Sequence, residues 1–148
     1  MQEELGIEKI IEVVIAVTDV EKAATSFHDL FGVKFELEWE VPRENVKVKA
    51  ATVLGTQLQL IQSTNPEGVI AKFIQARGEG LNHIAFKVSN LKEMVSRLKE
   101  KGVKFTSEEP IEIKNPVFNP VGEGLVDYIF IHPKSAHGTL IELIETKG

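Results

Sequence analysis

Cysteine is absent from the 148-residue chain. That excludes disulfides, thiolate–zinc sites and cysteine nucleophiles. No apolar run approaches the roughly 20 residues of a membrane span. Met1–Gly6 is acidic and lacks the apolar core of a signal peptide. Basic residues are in the minority, 17 against 22 acids, for a net charge of −5. A nucleic-acid surface is therefore not the main business of the chain. A local basic pocket for a phosphorylated ligand stays possible. What is present suits a packed globular domain, with 43% hydrophobic and 26% charged residues. These features predict a soluble, cytoplasmic protein with neither a membrane nor a nucleic-acid partner.

The chain resembles itself. Val13-Val14-Ile15-Ala16-Val17-Thr18-Asp19-Val20, running on to Gly32-Val33-Lys34-Phe35, matches Ile84-Ala85-Phe86-Lys87-Val88-Ser89-Asn90-Leu91, running on to Gly102-Val103-Lys104-Phe105. A closing pair, Gly55–Gln62 and Gly138–Glu145, matches at an offset of 83. Such repeats mark duplicated supersecondary units. Each half reads as strand, helix, then three strands. The strands are expected at Glu12–Val17, Lys34–Val41, Val46–Leu54 and Thr56–Ile61, then at His83–Val88, Phe105–Ser107, Val126–Ile131 and Thr139–Ile144. Thr18 or Asp19 can cap the first helix, and Thr18 with Glu21 has capping-box spacing. Ser89 or Asn90 can cap the second. Val20, Ala23, Ala24 and Phe27, and likewise Leu91, Met94, Val95 and Leu98, form stripes at i, i+3, i+4, i+7. Gly32 and Gly102 stand where helices end. Extra length falls at Ile111–Asp127, which holds Pro116, Pro120, Gly122 and Gly124. The expected class is α+β: two tandem βαβββ modules, residues 8–64 and 81–146, joined by a linker helix within 66–79. They form one domain, 1–148, a cupped mixed sheet around a cleft.

The repeat also nominates a site. Glu12 and His83 are equivalent at the first strands, and Gln59 and Glu142 at the last. A lone Glu or Gln on a strand usually faces water, and the neighbours Gln57, Gln62 and Glu145 are expected to include solvent-facing residues. Four polar residues at repeat-equivalent places are a different matter. Glu12, Gln59, His83 and Glu142 suit one divalent cation, such as Mn, Co, Ni or Zn, with positions left open for water or substrate.

These modules resemble the vicinal oxygen chelate superfamily, which includes glyoxalases, bleomycin-resistance proteins and dioxygenases. Within it the chain looks like methylmalonyl-CoA epimerases. The resemblance rests on Ile15–Ala23, Val69–Gly80 with Leu81-Asn82-His83-Ile84-Ala85-Phe86, Ile131-His132-Pro133-Lys134-Ser135 and Leu140-Ile141-Glu142-Leu143. It implies a metal held by Glu12, Gln59, His83 and Glu142, the set that the repeat gives independently. It implies an isomerase that epimerises methylmalonyl-CoA or a related 2-substituted acyl-CoA through an enediolate. Glu142 is the first choice of acid/base and Glu12 its symmetric partner. His132 and Lys134 are candidates for binding substrate, Lys134 toward a phosphate of the CoA tail. The resemblance and open edge strands also suit a homodimer.

The chain departs from the epimerase pattern in three places. Glu12 stands where epimerases have His, Asn82 where a second His is common, and Ile111–Asp127 is longer. Two alternatives stay open: a glyoxalase I-like lyase acting on lactoylglutathione or another thiol adduct, and a metal-free ligand binder of the bleomycin-resistance type. Glu40 and Glu44 are read as surface charges in a turn, and Trp39 and Tyr128 as core. His28, His137, Lys72 and Arg77 are read as surface residues.

Overall fold

The structure is a computed structural model and describes residues 6–115 and 124–146. Pro116, Pro120 and Gly122 lie outside the described residues. The elements run β1 (Ile7–Ala16), α1 (Val20–Phe31), β2 (Leu37–Val41), β3 (Val46–Val53), β4 (Thr56–Ser63), α2 (Val69–Arg77), β5 (Gly80–Val88), α3 (Leu91–Glu100), β6 (Ile111–Asn115), β7 (Gly124–Ile131) and β8 (Ile141–Thr146). Both halves are therefore β-α-β-β-β, with α2 as the linker helix. The chain divides into two compact units, Met1–Glu12 with His83–Gly148, and Val13–Asn82.

In the Val13–Asn82 unit, β2, β3 and β4 form an antiparallel meander. Alternation along β4 separates two faces. Leu60 packs with Val17 and Val20, against Ala23, Ala24 and Phe27 of α1. Ile61 faces the other way, with Val14, Val48 and Ile70 of α2. Trp39 is partly buried against this second cluster. The start of α1 is fully satisfied. Asp19 accepts from the Glu21 and Lys22 amides, and Gln62 Oε1 accepts from the Val20 amide at 2.8 Å. The Thr18–Glu21 capping box does not form. Instead Thr18 donates its amide and hydroxyl to Glu79 Oε2, at 2.8 and 2.9 Å. Gly32 ends α1 at φ 72°, a left-handed turn that glycine takes without Cβ strain.

In the other unit the strand order is β5-β8-β7-β6, mixed because β5 pairs with β8 in parallel while β8–β7 and β7–β6 are antiparallel. Leu143, Ile129 and Ile131 pack on Leu91 and Val95 of α3. Ile144, Val126, Tyr128, Ala85 and Ile11 form a second cluster on the opposite face. Asn90 caps α3 by accepting from the Glu93 amide. Glu145 Oε1 accepts from the Leu91 amide at 2.9 Å. This repeats the Gln62 bond at the equivalent position. The same strand residue in each half thus fastens the next helix.

Several boundaries differ from the sequence expectation. β2 begins at Leu37, leaving Lys34–Glu36 outside it. Phe105–Ser107 is not a strand. Phe105 makes one isolated bridge to Ile131. The second strand of the second half is β6, whose alternating Ile111-Glu112-Ile113-Lys114-Asn115 pairs with β7. Part of the apparent insertion is thus the expected strand, displaced.

Candidate metal centre

Glu142 lies on β8 beside Ala85 of β5 and opposite Phe130 of β7. Its neighbours Ile141 and Leu143 belong to the cluster under α3, so alternation turns Glu142 to the other face. His83 precedes Ala85 by two residues on β5 and shares that face. Its ring meets Phe130 edge to face, centroids 5.1 Å apart. Phe130 in turn stacks edge to face on Tyr128. An aromatic pair thus backs one side of the imidazole.

His83 Nε2 lies 3.2 Å from Glu142 Oε1. Glu12 completes the group, with one ligand atom of each residue within 4.8 Å of the others. Glu12 is 5% exposed and Glu142 9%. Two buried carboxylates this close repel each other and lose hydration. A divalent cation relieves both costs. The donors, two carboxylate oxygens and one imidazole nitrogen, suit such an ion. The residues present therefore fit a divalent metal.

Gln59 belongs to the Val13–Asn82 unit. It sits on β4 opposite the fully buried Ala50, on the face away from α1. It is 6% exposed, and its Nε2 donates to Gln57 Oε1 at 2.7 Å. Among the described residues, no hydrogen bond reaches Gln59 Oε1. A buried carbonyl oxygen left so is costly unless a donor or cation meets it. This too fits a ligand role.

The strand neighbours of Gln59 and Glu142, expected to include solvent-facing residues, do not face solvent. Gln57 is 1% exposed, and Gln62 and Glu145 are partly buried at the helix starts. Two residues apart on one strand, Gln57 and Gln59 share a face, which alternation alone would have indicated. His132 is a turn residue. Its Nδ1 accepts from the Lys134 amide at 3.1 Å and starts the 3-10 turn Pro133–Ser135. Lys134, Glu40, Glu44, His28, His137, Lys72 and Arg77 are exposed. Arg77 rests over the Phe73 ring at 5.7 Å. Asn82 is partly buried and Tyr128 is core.

A second charged group was not foreseen. Lys49 of β3 reaches Glu38 Oε1 at 3.0 Å and Glu21 Oε2 of α1 at 3.4 Å. The hydrogen bond to Glu38 raises its pKa above the usual lysine value, against the opposing pull of burial. This group ties α1 to the sheet of its own unit.

Residues 12–116 match the family model of the glyoxalase/bleomycin resistance protein/dioxygenase superfamily. The chain belongs to that superfamily. Its relatives there include a mitochondrial methylmalonyl-CoA epimerase of Homo sapiens, 32% identical over 132 residues, which are 88% of this chain and 70% of the relative. An ethylmalonyl-CoA/methylmalonyl-CoA epimerase of Cereibacter sphaeroides is 29% identical, over 88% of this chain and 92% of its own. Among solved structures, methylmalonyl-CoA epimerase from Mycobacterium tuberculosis superposes with a TM-score of 0.82 at 31% identity. That match covers all of this chain and 94% of the other. The α+β fold is thus shared with that epimerase. Among the described residues, no helix is long and apolar enough to cross a membrane.

Proposed function

We propose that this protein is a metal-dependent isomerase that epimerises methylmalonyl-CoA or a closely related 2-substituted malonyl-type acyl-CoA. The observation that carries the reading is the buried Glu12–His83–Glu142 group, in a chain 32% identical to a methylmalonyl-CoA epimerase. Glu12, His83 and Glu142, together with Gln59, are the proposed ligands of one divalent ion, Co, Mn, Ni or Zn. Such an ion supplies Lewis acidity at the carbonyl oxygens of an acyl-CoA and makes the α-proton easier to remove.

The chain's own residues do the rest. Glu142 takes the α-proton on one side, and Glu12 is the proposed acid/base for the other. His83, braced by Phe130, sets its Nε2 3.2 Å from Glu142 Oε1, close enough for both to serve one ion. The aliphatic cluster of Ile11, Val126 and Ile144 lies in the same unit and keeps water scarce around the carboxylates. Lys134 is exposed and free to meet a CoA phosphate, with His132 shaping its turn. Glu12 in place of His lowers the charge of the ligand set by one. This favours hard cations and moderates the Lewis acidity of the site. The epimerase relatives favour isomerisation over a glyoxalase-type lyase, and the buried carboxylate pair weighs against a metal-free binder.

The test is deuterium wash-in. The protein is stripped of metal, reloaded separately with Co, Mn, Ni or Zn, and incubated with methylmalonyl-CoA in D2O. Exchange at the α-carbon with at least one metal, lost on chelation, is the expected result. No exchange with any of the four refutes the proposal. A homodimer is also proposed, since among the described residues β2 and β6 end the strand order and no further strand pairs with them. Light scattering at the column peak tests it: a monomer mass would refute it.

A further inference from the structure

We infer that Gln57 is a positioning residue that fixes which end of the Gln59 amide is presented as a ligand. This rests on the proposed role of Gln59 as a metal ligand. An amide side chain has nearly the same shape when turned over, and its partners decide which end points where. Only the oxygen end can bind a cation. On β4 the two glutamines share a face, and Gln57 is almost wholly buried. Its Oε1 accepts from Gln59 Nε2 at 2.7 Å. That bond commits the amino end of Gln59 to Gln57 and leaves Oε1 as the end available to a ligand. Ala50, the β3 residue opposite, has no polar side-chain atom to compete for it. The bare carbonyl is therefore not a packing accident. It is held in that orientation by the neighbour two residues away.

The test is titration of the metal-free full-length protein with Co(II), read by the visible absorption of the bound ion, with thermal melts of each variant. Gln57→Met keeps the volume and removes the acceptor; Gln57→Glu keeps an acceptor. Gln57→Met should weaken Co(II) binding by about tenfold or more, the scale seen when a ligand's supporting partner is lost. It should shift the spectrum as Gln59→Ala does, and add nothing further in the Gln59→Ala background. Gln57→Glu should bind as the parent does. Gln59→Glu carries oxygen at both ends, so Gln57→Met in that background should change affinity by no more than about twofold. A folded Gln57→Met with parental affinity and spectrum, beside a weakened Gln59→Ala, overturns the inference alone. Parental binding by Gln59→Ala overturns both the ligand reading of Gln59 and the inference. If Gln57→Met does not fold, Gln57→Glu decides: because it keeps the acceptor, a loss of affinity of about tenfold there overturns the inference, and parental or tighter binding supports it.

Discussion

Removing the two repeat-equivalent helix fasteners should destabilise the protein unequally. Gln62 Oε1 accepts from Val20 N–H and Glu145 Oε1 from Leu91 N–H. Both donors are first-turn amides of residues that are 2% and 1% exposed. Water cannot easily replace the lost acceptor there. Gln62→Met keeps the length of the side chain and leaves the Val20 amide bare, which costs about 1–2 kcal/mol. Glu145→Met removes a carboxylate acceptor at the positive end of α3, so about 2–3 kcal/mol is expected. At about 3 °C per kcal/mol for a chain of this size, the melting temperatures should fall by about 3–6 °C and 6–9 °C. Glu145→Gln retains the acceptor and loses only the charge, and should cost under about 1 kcal/mol. Differential scanning calorimetry of the metal-free protein reads all three. Met variants that melt within about 1 °C of the parent would refute the argument. So would Glu145→Gln melting as low as Glu145→Met, since the acceptor would then not be what matters.

Three further outcomes follow from the site and its surroundings. His83→Ala should lower divalent-metal affinity by at least about tenfold, and Glu12→Gln should lower it too; metal analysis and calorimetric titration read both, and unchanged affinity in His83→Ala would remove it from the ligand set. Glu142→Ala should reduce α-carbon deuterium exchange by at least about 100-fold, and retained exchange would refute its role as the base. Lys49 has a raised pKa in the fold, so its stabilisation is complete below the ordinary lysine range and is lost as pH rises through the raised value. Lys49→Met should therefore cost about 0.5–1 kcal/mol in urea melts at pH 7, and the gap to the parent should narrow as pH rises past the ordinary lysine range; a gap that widens there would contradict the sign.

Duplication made much of the fold legible. A pattern seen twice separates the positions that both halves keep from those that vary, and both βαβββ halves emerged from that comparison. So did Glu12, His83 and Glu142, which the fold brings within 4.8 Å. The helix stripes were equally plain, because Leu91, Val95 and their partners obey the 3.6-residue period. The failures have local causes. β6 was hidden because its five residues open a segment whose sequence matches nothing in the first half, although Ile111 and Ile113 alternate as a strand should. Thr18 was given to a capping box because Glu21 stands three residues on, while its true partner, Glu79, is 61 residues away. Spacing rules see only near neighbours.

Gln57, Gln62 and Glu145 were misjudged for a deeper reason. Polarity on a strand suggests water, and in isolation that inference is sound. Here each of the three meets a buried donor: an amide group on Gln59, or a helix amide at Val20 or Leu91. A buried donor needs an acceptor, and only the fold reveals where the donors lie. The strands that carry Gln59 and Glu142 on one face therefore carry Gln62 and Glu145 on the other. One face of each last strand carries a buried candidate ligand, Gln59 or Glu142, while the opposite face offers an oxygen to a helix amide. That arrangement, repeated in both halves, sets each helix-fastening oxygen three residues along the strand from a candidate ligand. It ties the proposed chemistry to the packing of α1 and α3, elements that take no part in it.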